Sequence, residues 1–430
     1  MKVLMFGWEF PPHISGGLGT ACYGLTKGMS HISDLEVLFV VPKAYGDEDQ
    51  QSMRLIGANQ VYVSQKKINY INFKKQVEFI EVGSNMVPYV DPEEYYNLTS
   101  FEVAGIRGDT FINHEGKIDF SGKYGTGLMT EIVNYALVAN IIAQENSFDV
   151  IHAHDWLAYP AGIAAKEASG KPLVVHVHAT DFDRSGGNVN PTVYEIEKRG
   201  MEAADKVITV SNLTRNIVIE KYGIPEDKVV TVYNAVDPLK DNEVLGIKKG
   251  VNEKIVTFLG RITMQKGPEF FIEAAHKVLQ KMDNVRFVMA GSGDMMEKMI
   301  RRAAELKMTD KFHFTGFLKG DDVFRMLAIS DLYVMPSVSE PFGISPLEAM
   351  QSNVPVLISH QSGVAEILTY AIKSNFWDVD AMADAIYGVL NYSALSKMFK
   401  KHGKIEVDNL QWEHSARRVK DIYDSVCGEQ

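Results

Sequence analysis

The chain has 430 residues with 44 Lys and Arg against 55 Asp and Glu, a formal charge of −11, and is 46% hydrophobic, 10% aromatic and 23% charged. That make-up excludes a disordered or fibrous protein and fits a soluble globular enzyme of two or three domains. The acidic balance excludes a nucleic-acid binder that works through its whole surface and leaves only a local basic cleft for an anionic ligand.

Cys22 and Cys427 lie at opposite ends of the chain, too few and too far apart in sequence for a disulfide framework or a four-thiolate zinc site, which points to a reducing, cytoplasmic setting. The apolar start Met1–Gly7 runs into Glu9 and Pro11-Pro12, too short for a signal peptide, and no apolar run of about eighteen residues predicts a membrane span. The sequons at Asn97 and Asn212 then carry no glycan.

Short β-branched runs alternate with helical-period segments, the pattern of a parallel sheet covered on both faces. The first half predicts strands at Lys2–Gly7, Val37–Val41, Val150–Ala153, Leu173–Val177, Lys206–Val210 and Val229–Tyr233. Leu128, Ile132, Tyr135, Ala139 and Ile142 step at helical spacing, so one stripe of that helix faces a core. Residues 43–127 lack this alternation apart from strands predicted near Val61 and at Val77–Val82, and read as an insertion whose Tyr89, Tyr95, Tyr96 and Phe101 serve a satellite core or a sugar.

After Asn234-Ala235-Val236-Asp237 a polar link with Gly246, Lys248, Lys249 and Gly250 leads into a second domain. Its strands are predicted at Ile255–Gly260, Val285–Ala290, Lys311–Thr315, Leu332–Met335 and Pro355–Ser359, and the stripe Trp412, Ala416, Val419, Tyr423, Val426 marks a terminal amphipathic helix. The expected division is 1–240, 241–408 and a helix over 409–430 that packs back on the first domain.

Candidate chemistry sits where strands end. Ser15-Gly16-Gly17-Leu18-Gly19-Thr20 precedes a helix, where glycines let backbone amides approach a phosphate; the GxxxxGK[ST] and GxGxxG patterns are both absent. Gly291-Ser292-Gly293-Asp294 is a comparable turn, with two glycines where a dinucleotide fingerprint has three. Arg261 and Lys266 follow a strand and suit a diphosphate, the first as a fork and the second as a point charge. In Glu340-Pro341-Phe342-Gly343-Ile344-Ser345-Pro346-Leu347-Glu348 the spacing predicts a capping box between Ser345 and Glu348, which accounts for Glu348 but not for Glu340 or Gly343.

His152-Ala153-His154-Asp155-Trp156 and His176-Val177-His178 put histidines on one strand face, open to three readings: a polar active-site rim, a core or sheet-edge cluster, or a metal pair without a supporting carboxylate. Asp181-Phe182-Asp183 has an Asp-x-Asp spacing in a setting unlike the metal-gripping motif.

Taken in order, Gly16–Gly19, His152–Trp156, His178–Arg184, Asn234–Asp237, Gly260-Arg261 with Lys266-Gly267, and Glu340–Glu348 resemble the retaining glycosyltransferases of GT-B fold, in the branch of glycogen and starch synthases and their sucrose-synthase-like relatives. The resemblance spans nearly the whole chain. It implies two Rossmann-like, doubly wound domains with the active site in the cleft between them, and no metal or other cofactor. Arg261 and Lys266 would hold the donor diphosphate, with the amides of Gly16, Gly17 and Leu18 and the Gly291 turn close to it. Glu340, with the backbone of Phe342, Gly343 and Ile344, would orient the donor sugar and Glu348 the ribose. His178 would contact the sugar near its reacting face and Asp155 would lie on the acceptor side.

The implied reaction moves glucose from UDP- or ADP-glucose to the non-reducing end of an α-1,4-glucan, with a surface-polysaccharide, lipid-linked or small-sugar acceptor as the alternative. Two departures from bacterial glycogen synthases, Ile14-Ser15 ahead of the glycines and the second glutamate Glu348, leave donor base and acceptor open. A glycoside hydrolase using Glu340 and Glu348, and a non-catalytic nucleotide-sugar-binding protein, are the rival classes.

Overall fold

The computed structural model describes residues 1–13, 16–63, 113–125, 127–238 and 249–428. The chain forms two compact units, Met1–Asn234 with Trp412–Gln430, and Ala235–Gln411. The division falls after Asn234, ahead of the 240/241 boundary that the sequence suggested.

The first unit is built on seven strands, β1 Lys2–Phe6, β2 Glu36–Val41, β3 Arg54–Gly57, β4 Val150–His154, β5 Leu173–Val177, β6 Lys206–Thr209 and β7 Val229–Thr231. They lie in the order β3-β2-β1-β4-β5-β6-β7, every pair parallel. Parallel sheets are covered on both faces, which is why β4 and β5 are buried along their whole length and read as continuous rather than alternating apolar runs. The predicted helical stripe lies in Leu128–Glu145, with Leu128, Ile132, Tyr135, Ala139 and Ile142 all buried.

Trp412–Gly428, the terminal helix, belongs to this unit and buries Trp412, Ala416, Val419, Tyr423 and Val426. It packs on the helix Gly17–Ser30, whose Gly24 and Gly28 make the close approach possible. A Cβ on Gly24 would sit 2.1 Å from the Trp412 indole, and one on Gly28 would sit 2.6 Å from the Trp412 carbonyl oxygen.

The second unit repeats the plan with β8 Lys254–Leu259, β9 Val285–Ala290, β10 Phe312–Gly316, β11 Leu332–Met335, β12 Val356–Ser359 and β13 Ile372–Ser374 in the parallel order β10-β9-β8-β11-β12-β13. Phe258, Phe271, Phe287 and Phe312 join in its core. Both units therefore have the doubly wound Rossmann order, and in both the order reverses beside the first strand, β1 next to β4 and β8 next to β11. Open α/β sheets take ligands at the carboxyl ends of the strands at that point.

The short edge strands β3 and β13 lie outside the predicted set, whereas the equally short edge strand β7 falls within the predicted Val229–Tyr233. The strand expected near Val61 is instead β3, and Val61 itself follows a 3-10 turn at Ala58–Gln60. Val77–Val82, Tyr89, Tyr95, Tyr96, Phe101 and the Gly246–Lys248 part of the link lie outside the described residues. Among the described residues no helix is long and apolar enough to cross a membrane.

Candidate active site

In the first unit β1 leads to a helix that starts at Gly17, with Gly16 as an extended N-cap that offers no side chain and no acidic residue in the first turn. A Cβ on Gly16 or Gly17 would meet nothing within 4 Å, and neither residue has a left-handed φ. Packing and backbone geometry therefore leave both glycines unexplained. What they provide is open approach to uncapped amides at the positive end of a helix dipole, beside the partly exposed Leu18.

Strands β4 and β5 pair His154 with His176 across the ladder. Because i and i+2 share a face, His152, His154, His176 and His178 form one stacked group, with ring centroids 4.3 Å apart along each strand and 5.2–5.4 Å apart across it. Nδ1 of His154 lies 2.9 Å from Nε2 of His178, and Nδ1 of His152 pairs with the Tyr423 hydroxyl of the terminal helix. Burial pushes all four imidazoles below the usual range, His178 to about 3, so they are neutral. Three of the four belong to the core; only His178, the first residue past β5, keeps partial exposure.

Asp155 opens the helix Asp155–Ser169 with a φ of +59° and is 2% exposed. Its Oδ1 accepts from the His178 amide at 2.7 Å and the Ala179 amide at 3.4 Å. Burial pushes its carboxyl up to about 6, against the opposing Arg184 charge. The structure thus places Asp155 as a buried anchor for the backbone that carries His178.

Next along the chain, the Asp-x-Asp spacing is structural. Asp183 closes a capping box with Thr180, and Asp181 accepts from the Asn190 amide at 2.6 Å. Arg184 is buried against Glu197, which also takes the Tyr222 hydroxyl, and its Nη1 donates to the Ala179 carbonyl at 3.2 Å. Burial lifts Glu197 to about 7 despite the Arg184 charge. Sequence reading missed Glu197 and Tyr222; the Thr-x-x-Asp spacing at 180–183 was the available signal.

In the second unit β8 ends at Leu259, and past Gly260 comes Arg261, with Nη2 donating to Gln265 Oε1 at 3.2 Å. Gln265, 5% exposed, also accepts on its carbonyl from the Val338 amide at 2.9 Å, which ties the Arg261–Lys266 loop to the loop after β11. Sequence reading passed over Gln265, although its i+4 spacing from Arg261 was visible. Gly267 is held at φ +65° with the Pro336 carbonyl where a Cβ would be, 2.1 Å away.

This contact sets Lys266 in an ion pair with Glu340, 74 positions on. Glu340 is 7% exposed and is fixed by its amide on the Gln361 carbonyl and its carbonyl on the Gly363 amide, each at 2.9 Å. The Phe342 carbonyl accepts from the Val364 amide at 2.8 Å, and Gly343 turns at φ +99° before Ile344. Gly291, at φ +145°, has the Gly260 carbonyl 1.8 Å from where a Cβ would be, so the β8 and β9 ends touch there; this close approach explains Gly291 by packing.

The capping box expected between Ser345 and Glu348 does not form. The helix Ser345–Gln351 has Ile344 as its N-cap without a side-chain bond, and the Ser345 hydroxyl lies 2.8 Å from the Tyr333 hydroxyl of β11. Tyr333, buried beneath the turn, also donates its hydroxyl to the Leu259 carbonyl at 3.3 Å, so the serine joins a bond between elements instead of a local cap. Glu348 is freed from the capping role, and burial pushes its carboxyl up to about 7. Its structural excuse is gone.

Residues 241–406 match the family model described as glycosyl transferases group 1, and residues 120–239 match that of glycosyltransferase family 4. An uncharacterized glycosyltransferase of Methanocaldococcus jannaschii is 28% identical over 98% of both chains. A glycogen synthase of Mycobacterium tuberculosis is 22% identical over 98% of this chain and 94% of its own. The Anabaena protein HepE, solved in complex with UDP-glucose, superposes with a TM-score of 0.66 at 16% identity, covering 99% of this chain and 100% of that one. The chain is a glycosyltransferase of GT-B type whose residues 241–406 match the group 1 model.

Proposed function

We propose that this glycosyltransferase is a retaining hexosyltransferase that moves glucose from UDP- or ADP-glucose to the non-reducing end of an α-1,4-glucan. The observation that carries the reading is the convergence of Arg261, Lys266 and Glu340 at the carboxyl ends of β8 and β11, cations suited to a diphosphate beside a carboxylate suited to sugar hydroxyls. The likeness to a glycogen synthase supports the glucan, and HepE bound to UDP-glucose supports the donor.

In this reading Arg261 and Lys266 hold the diphosphate and stabilise the charge that builds on it as the sugar departs, preorganised electrostatics being the largest usual contribution to such a step. Gly16, Gly17 and Leu18 amides add donors to the phosphate. Lys266 keeps Glu340 aimed until the donor arrives, and Glu340, with the backbone at Phe342, Gly343 and Ile344, then orients the sugar. Glu348 accepts from the ribose. His178, neutral and partly exposed, contacts the sugar, and Asp155 fixes the backbone that presents it.

The anomeric carbon–phosphate oxygen bond breaks as the acceptor oxygen bonds to the same face, and the acceptor's proton passes to the leaving phosphate. No protein nucleophile and no metal is called on. A carboxylate pair for hydrolysis is disfavoured, since Glu348 lies on a helix and Arg261 and Lys266 suit a phosphate. Incubation of the protein with each donor and maltooligosaccharides, read by NMR, tests the reading. New α-1,4 linkages agree with it, and a β-linked product or free glucose alone contradicts it.

A further inference from the structure

The buried histidine group of the first unit has more capacity for ligands than its own hydrogen bonds use. Nε2 of His154 is buried with no hydrogen-bond partner, although the residue is 0% exposed. Cys22, on the helix Gly17–Ser30 and also 0% exposed, lies beside the group. One ligand atom from each of Cys22, His154 and His178 lies within 4.8 Å of the others. A thiol and two neutral imidazoles are the donor set of a borderline-soft cation such as Zn²⁺.

We infer that Cys22, His154 and His178 form a site for a divalent transition metal of the zinc class, bound as the thiolate and two imidazoles, with Asp155 as the charge-balancing neighbour. The ion is not required by the transfer reaction; it binds where His178 would otherwise meet the sugar.

Charge decides between this set and its neighbour. A second trio, His152, His154 and His176, has the same spacing but is wholly neutral and buried, so a dication there would lack a compensating anion. His152 is further committed to Tyr423. Around Cys22 the thiolate itself supplies an anion, and the Asp155 carboxylate lies beside both imidazoles, next in the chain to His154 and bonded to the His178 amide at 2.7 Å. Partial exposure at His178 gives the ion an entry.

Binding converts the thiol to a thiolate and releases one proton, so affinity rises about tenfold per pH unit while the thiol stays protonated in the free protein. Co²⁺ titration of the EDTA-treated, full-length protein tests the site, since cobalt bound to thiolate shows a sulfur-to-metal charge-transfer band. One Co²⁺ per chain with that band, displaced by Zn²⁺, is expected in the wild type and in Cys427→Ser. Cys22→Ser should lose the band and weaken Zn²⁺ binding at least tenfold by calorimetry, with Cys22→Ala as a second variant if the first melts early. A band that survives both, no binding in the wild type, or wild-type Zn²⁺ affinity in both variants overturns the inference.

Inhibition rests on the proposed transfer reaction and is read separately: Zn²⁺ should inhibit the wild type and spare Cys22→Ser. Metal binding without inhibition would leave the site standing and count against the role given to His178.

Discussion

Lys266 and Glu340 show how much of a site a sequence reveals residue by residue. Both were legible as charges in loops after strands, but their pairing across 74 positions was not, because it depends on Gly267 accepting the Pro336 carbonyl into the space of a side chain. Ser345 misled for the opposite reason: its local capping spacing is right, yet Tyr333 from another element takes its hydroxyl. Arg261→Ala, Lys266→Ala and Glu340→Ala should each lower kcat by about 100-fold or more, the cost of removing one preorganised electrostatic group, with circular dichroism unchanged. Activity within a few-fold of wild type in all three would remove these residues from the site. Gly17→Ala makes a sharper test, because alanine fits the helix and the space: its Tm should match or exceed wild type while the donor's Kd rises about tenfold or more. A lowered Tm with an unchanged Kd would mean that the glycine serves folding.

At the scale of elements, the interior strands and the helical stripes were readable because period and burial coincide in them. The terminal helix illustrates what was not readable. Its stripe from Trp412 to Val426 was clear, but its seat required Gly24 and Gly28, which in sequence are two unremarked glycines of another helix. Their missing side chains let the indole and backbone of Trp412 approach. Gly28→Ala presses a methyl on the Trp412 carbonyl, which cannot swing aside, and should destabilise the fold by about 1–3 kcal/mol as overpacking does. Urea unfolding measures this directly, and an alanine variant as stable as wild type would show that the helix seat is looser than described.

Over the whole molecule, two units repeat one strand order, and the strongest candidate groups stand at the reversal of each sheet. That repetition was legible from alternating strands and helices. The histidine group was legible only as two His-x-His pairs, since ring stacking across β4 and β5 follows from register. It makes the first unit acid-sensitive.

Below the unfolded histidine value near 6.5 the unfolded chain binds protons that the four depressed imidazoles refuse, so stability falls as pH drops. Asp155 at about 6 and Glu197 at about 7 act in the opposite sense, binding protons in the folded state over the same window. Four outnumber two, so the net trend is loss below about pH 6.5, at about 1.4 kcal/mol per pH unit for each uncompensated proton. Urea midpoints of the first unit between pH 7.5 and 5 check the sign, and His152→Gln should flatten the slope.

The central claim is transfer from a nucleotide sugar held by Arg261 and Lys266. It is tested most directly by following radiolabelled glucose from UDP-glucose and ADP-glucose into glycogen, with wild type and Lys266→Ala side by side. Label entering polymer with the wild type from one of these donors, and about 100-fold less with the variant, is the predicted result. Equal labelling by both proteins, or no labelling by either from both donors, would contradict the account.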